Sequence, residues 1–152
     1  KPEVRREVIP LGVSQIDAGT RIGVGGYKKS MGNMMPDKEQ FQLGDVRSLD
    51  DVIRETCETE SLPSFCTACY RAGRTGEHFM EVAKSSFVHN FCMPNAILTL
   101  KEYLLDYAAG DTKEAGEKAI SKYIDTLEDA KTRQFVIDAL ARMEKGERDI
   151  RV

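Results

Sequence analysis

Three cysteines constrain this chain more than any other feature. Cys66 and Cys69 form a Cys-x2-Cys pair, and Cys92 follows after 22 intervening residues. Grouped thiolates in a chain of this kind hold a metal, and drawing these three together ties two distant places to one centre. The Cys-x2-Cys turn lets both sulfurs face that centre while backbone N–H groups point at them, which suits zinc and iron–sulfur clusters alike. Cys92 stands just before Pro94 and the start of a helix, where amides and the helix dipole favour negative charge. Arg71 and Arg74 are placed to offset the charge of an anionic cluster. A cubic cluster takes four ligands, so three thiolates leave one corner open.

Zinc competes on spacing. Cys66-x2-Cys69-x19-His89-x2-Cys92 offers four ligands for a closed structural site in a helical interaction module, and spacing alone does not separate it from iron–sulfur. Cys57 is expected in the core, because it falls on the apolar stripe of its helix. His78 is expected on the surface of another.

The bulk numbers exclude several classes. At 152 residues the chain can build one real core. A net charge of −3 gives no reason to expect nucleic acid or another polyanion. No apolar run is long enough to span a bilayer, and the charged N-terminus lacks a signal core, so a cytoplasmic protein is expected, with no membrane partner. With nothing to mark secretion, metal binding is favoured over disulfides for the four cysteines. The first residue is Lys1, not methionine, which points to a fragment.

The chain divides near residue 40. Before it, residues 2–9 suit a short helix with Pro2 in its first turn, and residues 13–16 a short strand. A Gly-, Lys- and Met-rich stretch follows from Gly19 to Gly44. Its Gly23-x-Gly25-Gly26 lacks the strand-to-helix setting of a phosphate loop, and Met31, Met34 and Met35 suit loop packing. This part reads as the tail of a larger domain. The remainder is helical. Ser48 with Asp51 opens one helix, with Leu49, Val52, Ile53, Thr56 and Cys57 on one face. Thr75 opens a second, and Pro94 a third with Ile97, Leu100, Leu104 and Tyr107 on its stripe. Asp111 with Glu114 opens a fourth carrying Ala119, Ile120 and Tyr123. Thr126 with Asp129 opens a fifth, with Val136, Ala139, Leu140 and Met143 inward and Gly146 at its end. The charged stretch from Glu144 to Arg151 reads as a solvated end.

The text around the cysteines is distinctive. CTACYRAGRTGEHFM, followed by NFCMPNAILTLKEYL, resembles the C-terminal cluster domain of the HydG family, the radical S-adenosylmethionine (SAM) tyrosine lyases that mature [FeFe]-hydrogenases. LGVSQIDAGTRIGVGGY resembles the last strand and loop of that family's barrel, and FQLGDVRSLDDVI the stretch leading into its C-terminal domain. The resemblance covers essentially the whole chain. It implies a mainly α fold: a helical C-terminal auxiliary-cluster domain (41–152) preceded by the last strand and loop of a (β/α)8-type barrel (1–40). It implies a carbon–carbon lyase that cleaves L-tyrosine to p-cresol and dehydroglycine, the latter yielding carbon monoxide and cyanide assembled on iron. Cys66, Cys69 and Cys92 would then ligate an auxiliary [4Fe–4S] cluster carrying an additional iron at its open corner, and His89 becomes a non-ligand. S-adenosylmethionine and a second [4Fe–4S] cluster belong to an N-terminal part, because the family's Cys-x3-Cys-x2-Cys motif is absent from this sequence. The fragment alone is therefore not expected to cleave tyrosine. Other hydrogenase maturation proteins are the implied partners. Ser14, Gln15, Asp17, Thr20 and Arg21 would lie at the carboxyl end of a barrel strand, where active sites of that architecture sit, but no residue here takes a firm catalytic or SAM-binding role.

Overall fold

The structure is a computed structural model that describes residues 1–13, 15–20, 45–85 and 87–152. It divides into two compact units, Lys1–Val52 and Ile53–Val152. All regular elements among the described residues are helical, which agrees with the mainly α fold expected but not with the strand expected over residues 13–16. None of these helices is long and apolar enough to cross a membrane.

In the first unit, helix α1 spans Pro2–Val8, with Pro2 in its first turn, and runs into a 3-10 turn, Ile9–Leu11. A proline there costs little because the first amides have no intrahelical acceptor. Polar contacts organise this unit. The Arg5 guanidinium donates to the Asp17 carbonyl at 2.6 Å and lies 3.3 Å from the Asp45 carboxylate. Hydrogen bonding from Arg47 outweighs desolvation and, with the charges of Arg47 and Arg5, holds the Asp45 carboxyl down at about 2. The strand expected over residues 13–16 does not form at Val13, Gln15 or Ile16, while Ser14 lies outside the described residues. A strand exists through its partner, and no neighbouring strand stands among the described residues, so Val13 and Ile16 stay exposed. The Gly23 loop, Arg21 and the three loop methionines also lie outside the described residues.

Helix α2, Leu49–Glu58, crosses the unit boundary. Its start is the expected reciprocal cap: the Asp51 N–H donates to Ser48 Oγ at 3.1 Å, and that hydroxyl donates to Asp51 Oδ2 at 2.6 Å. Val52, Ile53, Thr56 and Cys57 are buried along one face.

The second unit is built on α5 (Met93–Asp106), α6 (Gly110–Asp125) and α7 (Ala130–Glu144), with α5 packing against both others. Ile97, Leu98, Leu100 and Leu104 of α5 are almost fully buried. Helix α6 contributes Ala119 and Ile120, and α7 contributes Val136, Ala139 and Met143 at helical spacing. Tyr107 is not part of the stripe. It sits beyond the end of α5, 77% exposed, with its ring 5.9 Å from that of Tyr103. Two starts differ from expectation. Helix α6 begins at Gly110 with Ala109 in the cap position, so Asp111 lies inside the first turn. Asp129, not Thr126, caps α7 by accepting from the Thr132 N–H at 2.7 Å. Thr126 instead donates to the Tyr123 carbonyl that closes α6. Gly146 ends α7 with φ +101°, a conformation favouring glycine.

Helices α5 and α6 approach closely at Gly116. A Cβ there would lie 2.6 Å from both terminal methyls of Leu104, which is itself buried. In an open helix Gly→Ala stabilises by roughly 1 kcal/mol; here overpacking reverses the sign. Gly116→Ala is expected to lose about 1–3 kcal/mol in urea unfolding, and Leu104→Ala to cost less in that background than in the parent, because it relieves the overlap. A Gly116→Ala variant more stable than the parent would refute the contact.

Lys101 enters this core with its side chain 7% exposed, yet its ammonium lies 2.6 Å from Glu117 of α6 and 2.5 Å from Glu144 of α7. Burial alone would lower its pKa, but the hydrogen bonds to Glu117 and Glu144 outweigh burial and raise it above the ordinary 10.5. The Lys101 hydrogen bond, followed by its charge, lowers Glu144 below 4.5. Stability from the raised lysine is present below pH 10.5 and is lost as pH climbs through its folded value. Stability from the lowered Glu144 is present above pH 4.5 and is lost as pH falls through its folded value. Unfolding free energies measured from pH 3 to 11 should therefore fall more steeply at both ends for the parent than for Lys101→Met; parallel profiles would count against the pairing.

Candidate metal centre

The cysteines sit on short, tightly turned segments. Residues 61–67 form an irregular run that carries Cys66 and ends in helix α3, Ala68–Arg71, a single turn that carries Cys69. The Ala68 N–H donates to Cys66 Sγ at 3.5 Å, the amide-to-sulfur contact expected of this turn, and the Cys66 N–H donates to Ser64 Oγ at 3.3 Å. The Cys69 carbonyl accepts from Ala72 and, at 2.9 Å, from Arg74. Gly73 makes that closure possible with φ +70°. Phe65 stacks on Tyr103 of α5 with ring centroids 5.6 Å apart, which anchors the chain just before Cys66 to the core helix.

Helix α4, Gly76–Ala83, follows, with Thr75 in its cap position as expected. Tyr70 stacks on Phe79 across the intervening turn at 5.8 Å. The chain then enters a π-turn, Val88–Cys92, in which the Met93 N–H reaches back five residues to the Val88 carbonyl. Such turns are rare and concentrate at functional sites. Cys92 is its last residue and leads directly into α5.

Cys66 is exposed, while Cys69 and Cys92 are half-buried. Burial raises the Cys92 pKa most, followed by the charges of Cys69 and Cys66. Both segments meet α5, one through Phe65 on Tyr103 and the other at its start, and between them they carry the three sulfurs. They are not drawn into an ion-sized cage: among the described residues no three His, Cys, Asp or Glu side chains converge tightly enough to enclose a single metal ion. Arg71 and Arg74 are exposed beside this turn. His89 lies on the same π-turn as Cys92, exposed to solvent. His78 is on the surface of α4, 3.6 Å from Glu81.

Cys57 stands apart. It is buried in the core cluster, and desolvation, then the Glu58 charge, pushes its thiol up to about 11. It also floors a cleft of about 570 Å³ between α2 and α6 that none of the other three cysteines lines. The charges of that cleft answer one another: Lys118 lies 2.8 Å from Glu114, Lys122 3.0 Å from Glu60, and Arg54 3.8 Å from Asp111. In the first unit, Asp17 accepts from the Thr20 hydroxyl at 2.6 Å, and no cysteine is present there.

The π-turn was not visible in the sequence, and neither was Asn95. The Asn95 side-chain amide donates to the Phe91 carbonyl at 2.8 Å. Its nearest sequence signal is its place after Pro94, which removes an amide donor from the turn bearing Cys92.

At pH 8 an iodoacetamide time course followed by peptide mass mapping should modify Cys66 and Cys69 first and Cys92 more slowly. Cys57 should react only after unfolding; early labelling of Cys57 would show that its burial is wrong.

No family model and no curated protein sequence matches the chain. Among solved structures, it is similar to the crystal structure of HydG, a maturase of the [FeFe]-hydrogenase. The match has 49% identity and a TM-score of 0.81, and it covers 100% of this chain and 32% of the HydG chain. This chain thus spans about a third of the length of the protein it matches. By sequence and by fold, all 152 residues align with one portion of that maturase.

Proposed function

We propose that this chain is the C-terminal, cluster-bearing portion of a radical SAM tyrosine lyase that acts in [FeFe]-hydrogenase maturation. The observation that carries the reading is the match to HydG at 49% identity along the whole of this chain, Cys66, Cys69 and Cys92 included. Residues 1–40 are the terminal piece of the radical SAM barrel, and residues 41–152 are the helical iron–sulfur domain. In the complete enzyme L-tyrosine is cleaved to p-cresol and dehydroglycine, and the latter yields carbon monoxide and cyanide. Other hydrogenase maturation proteins receive the product. S-adenosylmethionine and the radical-generating [4Fe–4S] cluster belong outside this chain.

Cys66, Cys69 and Cys92 hold the auxiliary [4Fe–4S] cluster in this reading. The donor set fits: three thiols, one already accepting a backbone N–H, and one on a π-turn at the start of a buried helix. When bound, the cluster supplies an open coordination corner where an additional iron can be carried. The chain's own part is to place three sulfurs and withhold a fourth. Cys57 is kept from that role by its place in the core. His89 would be the fourth ligand only in a closed zinc module.

Anaerobic reconstitution with iron and sulfide, followed by metal analysis and EPR, tests this. The parent chain should bind about four irons and four sulfides, as a [4Fe–4S] cluster requires, with any additional iron above that. The Cys66→Ser/Cys69→Ser/Cys92→Ser variant should bind none, and His89→Ala should retain the cluster. A colourless parent with one zinc that is lost on His89→Ala would support the zinc module instead.

A further inference from the structure

The sequence reads Glu144 to Arg151 as a solvated end; Glu147, Asp149 and Arg151 are indeed exposed, but Glu144 pairs with Lys101, and Arg148 and Ile150 tie the segment down. Residues 147–152 run back along one face of α5. The Arg148 guanidinium makes paired bonds to the Asp106 carboxylate, Nε to Oδ2 at 2.8 Å and Nη2 to Oδ1 at 2.6 Å, and donates from Nη1 to the Met143 carbonyl. The Asp149 N–H donates to Glu102 at 3.1 Å. Ile150 packs against the core. The Val152 N–H donates to Asn95 Oδ1 at 3.0 Å. Asp106, Glu102 and Asn95 are spaced by four and seven residues, one side of a helix.

At its far end this strap meets the turn that carries Cys92, and Asn95 is the junction. Its Oδ1 accepts from the strap while its Nδ2 donates to the Phe91 carbonyl, one residue before Cys92. Val152 offers only a donor here and Phe91 only an acceptor, so one orientation of an amide satisfies both. Aspartate supplies the acceptor without the donor, and leucine supplies neither. The turn needs the help, because Pro94 brings no N–H of its own.

We propose that Asn95 is a positioning residue that couples the strap of residues 147–152 to the π-turn and so sets where the Cys92 sulfur stands. The inference deepens the proposed cluster site and rests on Cys92 being a ligand there. It assigns the strap a task at the site: fastening the only one of the three cysteines that is carried by the buried helix bundle.

Hydrogen–deuterium exchange on this chain without metal tests the coupling. Peptides spanning residues 88–93 should exchange about two- to tenfold faster in Asn95→Leu and Asn95→Asp, the range for losing one hydrogen bond. Arg148→Met, which frees the strap at the opposite end of α5, should move the same peptides in the same direction. Peptides spanning 97–104 should be unchanged in all three. Parent-like exchange in residues 88–93, or an equal rise there and in the core, overturns the proposal. After anaerobic reconstitution, Asn95→Leu should hold as much iron and sulfide as the parent with a shifted EPR signature, whereas an identical signature overturns a role at the cluster. The exchange result requires no metal, so failure of the cluster assignment leaves it standing, and failure of the coupling leaves the cluster assignment standing.

Discussion

An ammonium group can sit inside a helical core only if carboxylates go in with it, because an unpaired buried charge costs several kcal/mol. Lys101 meets that condition with one carboxylate from α6 and another from α7, at 2.6 and 2.5 Å. Three helices must therefore keep their relative heights for one charge to be satisfied. Close by, Gly116 lets α6 come within van der Waals reach of Leu104, so the same pair of helices is held by shape as well as by charge. The cysteine site depends on this restraint. Cys92 is attached directly to the first residue of α5, and Phe65, next to Cys66, stacks on Tyr103 of the same helix.

Much of the bundle was legible in the sequence because it is written in local terms. Ile97, Leu100 and Leu104, Ala119 and Ile120, and Val136, Ala139 and Met143 repeat at helical spacing, and all are buried. The Ser48–Asp51 cap was equally plain. What failed was choice among equivalent local signals. Thr126 and Asp129 are both capping residues; burial of Leu127 in the connection leaves Asp129 at the helix start. The strand over residues 13–16 failed for another reason: its sequence pattern describes one member of a pair, and pairing is not a local property. The strap was missed on the same ground. Arg148 reads as one more solvated charge until Asp106, 42 residues earlier, is brought against it.

The candidate site divides along the same line. Residue types and spacing singled out Cys66, Cys69 and Cys92, and hydrophobic periodicity kept Cys57 out of the set, as its burial bears out. Spacing alone could not order zinc against iron–sulfur, because both accept thiolates on a Cys-x2-Cys turn. The flanking residues carried the distinction, and the match to HydG runs through all of them. No period or composition announces the π-turn, since five residues of Val-His-Asn-Phe-Cys have no pattern that an α-helix would reject.

That turn has a consequence for reading relatives of this chain. A π-turn holds one residue more than the α-helical turn it replaces, so the 22 residues between Cys69 and Cys92 carry a phase as well as a length. Removing one of them inside Val88–Cys92 would let the turn relax into regular helix. The residues just upstream would then turn by about 100° about the α5 axis, while Phe65 keeps the Cys66 end on Tyr103, so Cys92 would shift relative to that end. A relative that has lost one residue here could thus keep all three cysteines in its alignment and no longer bring them to one place.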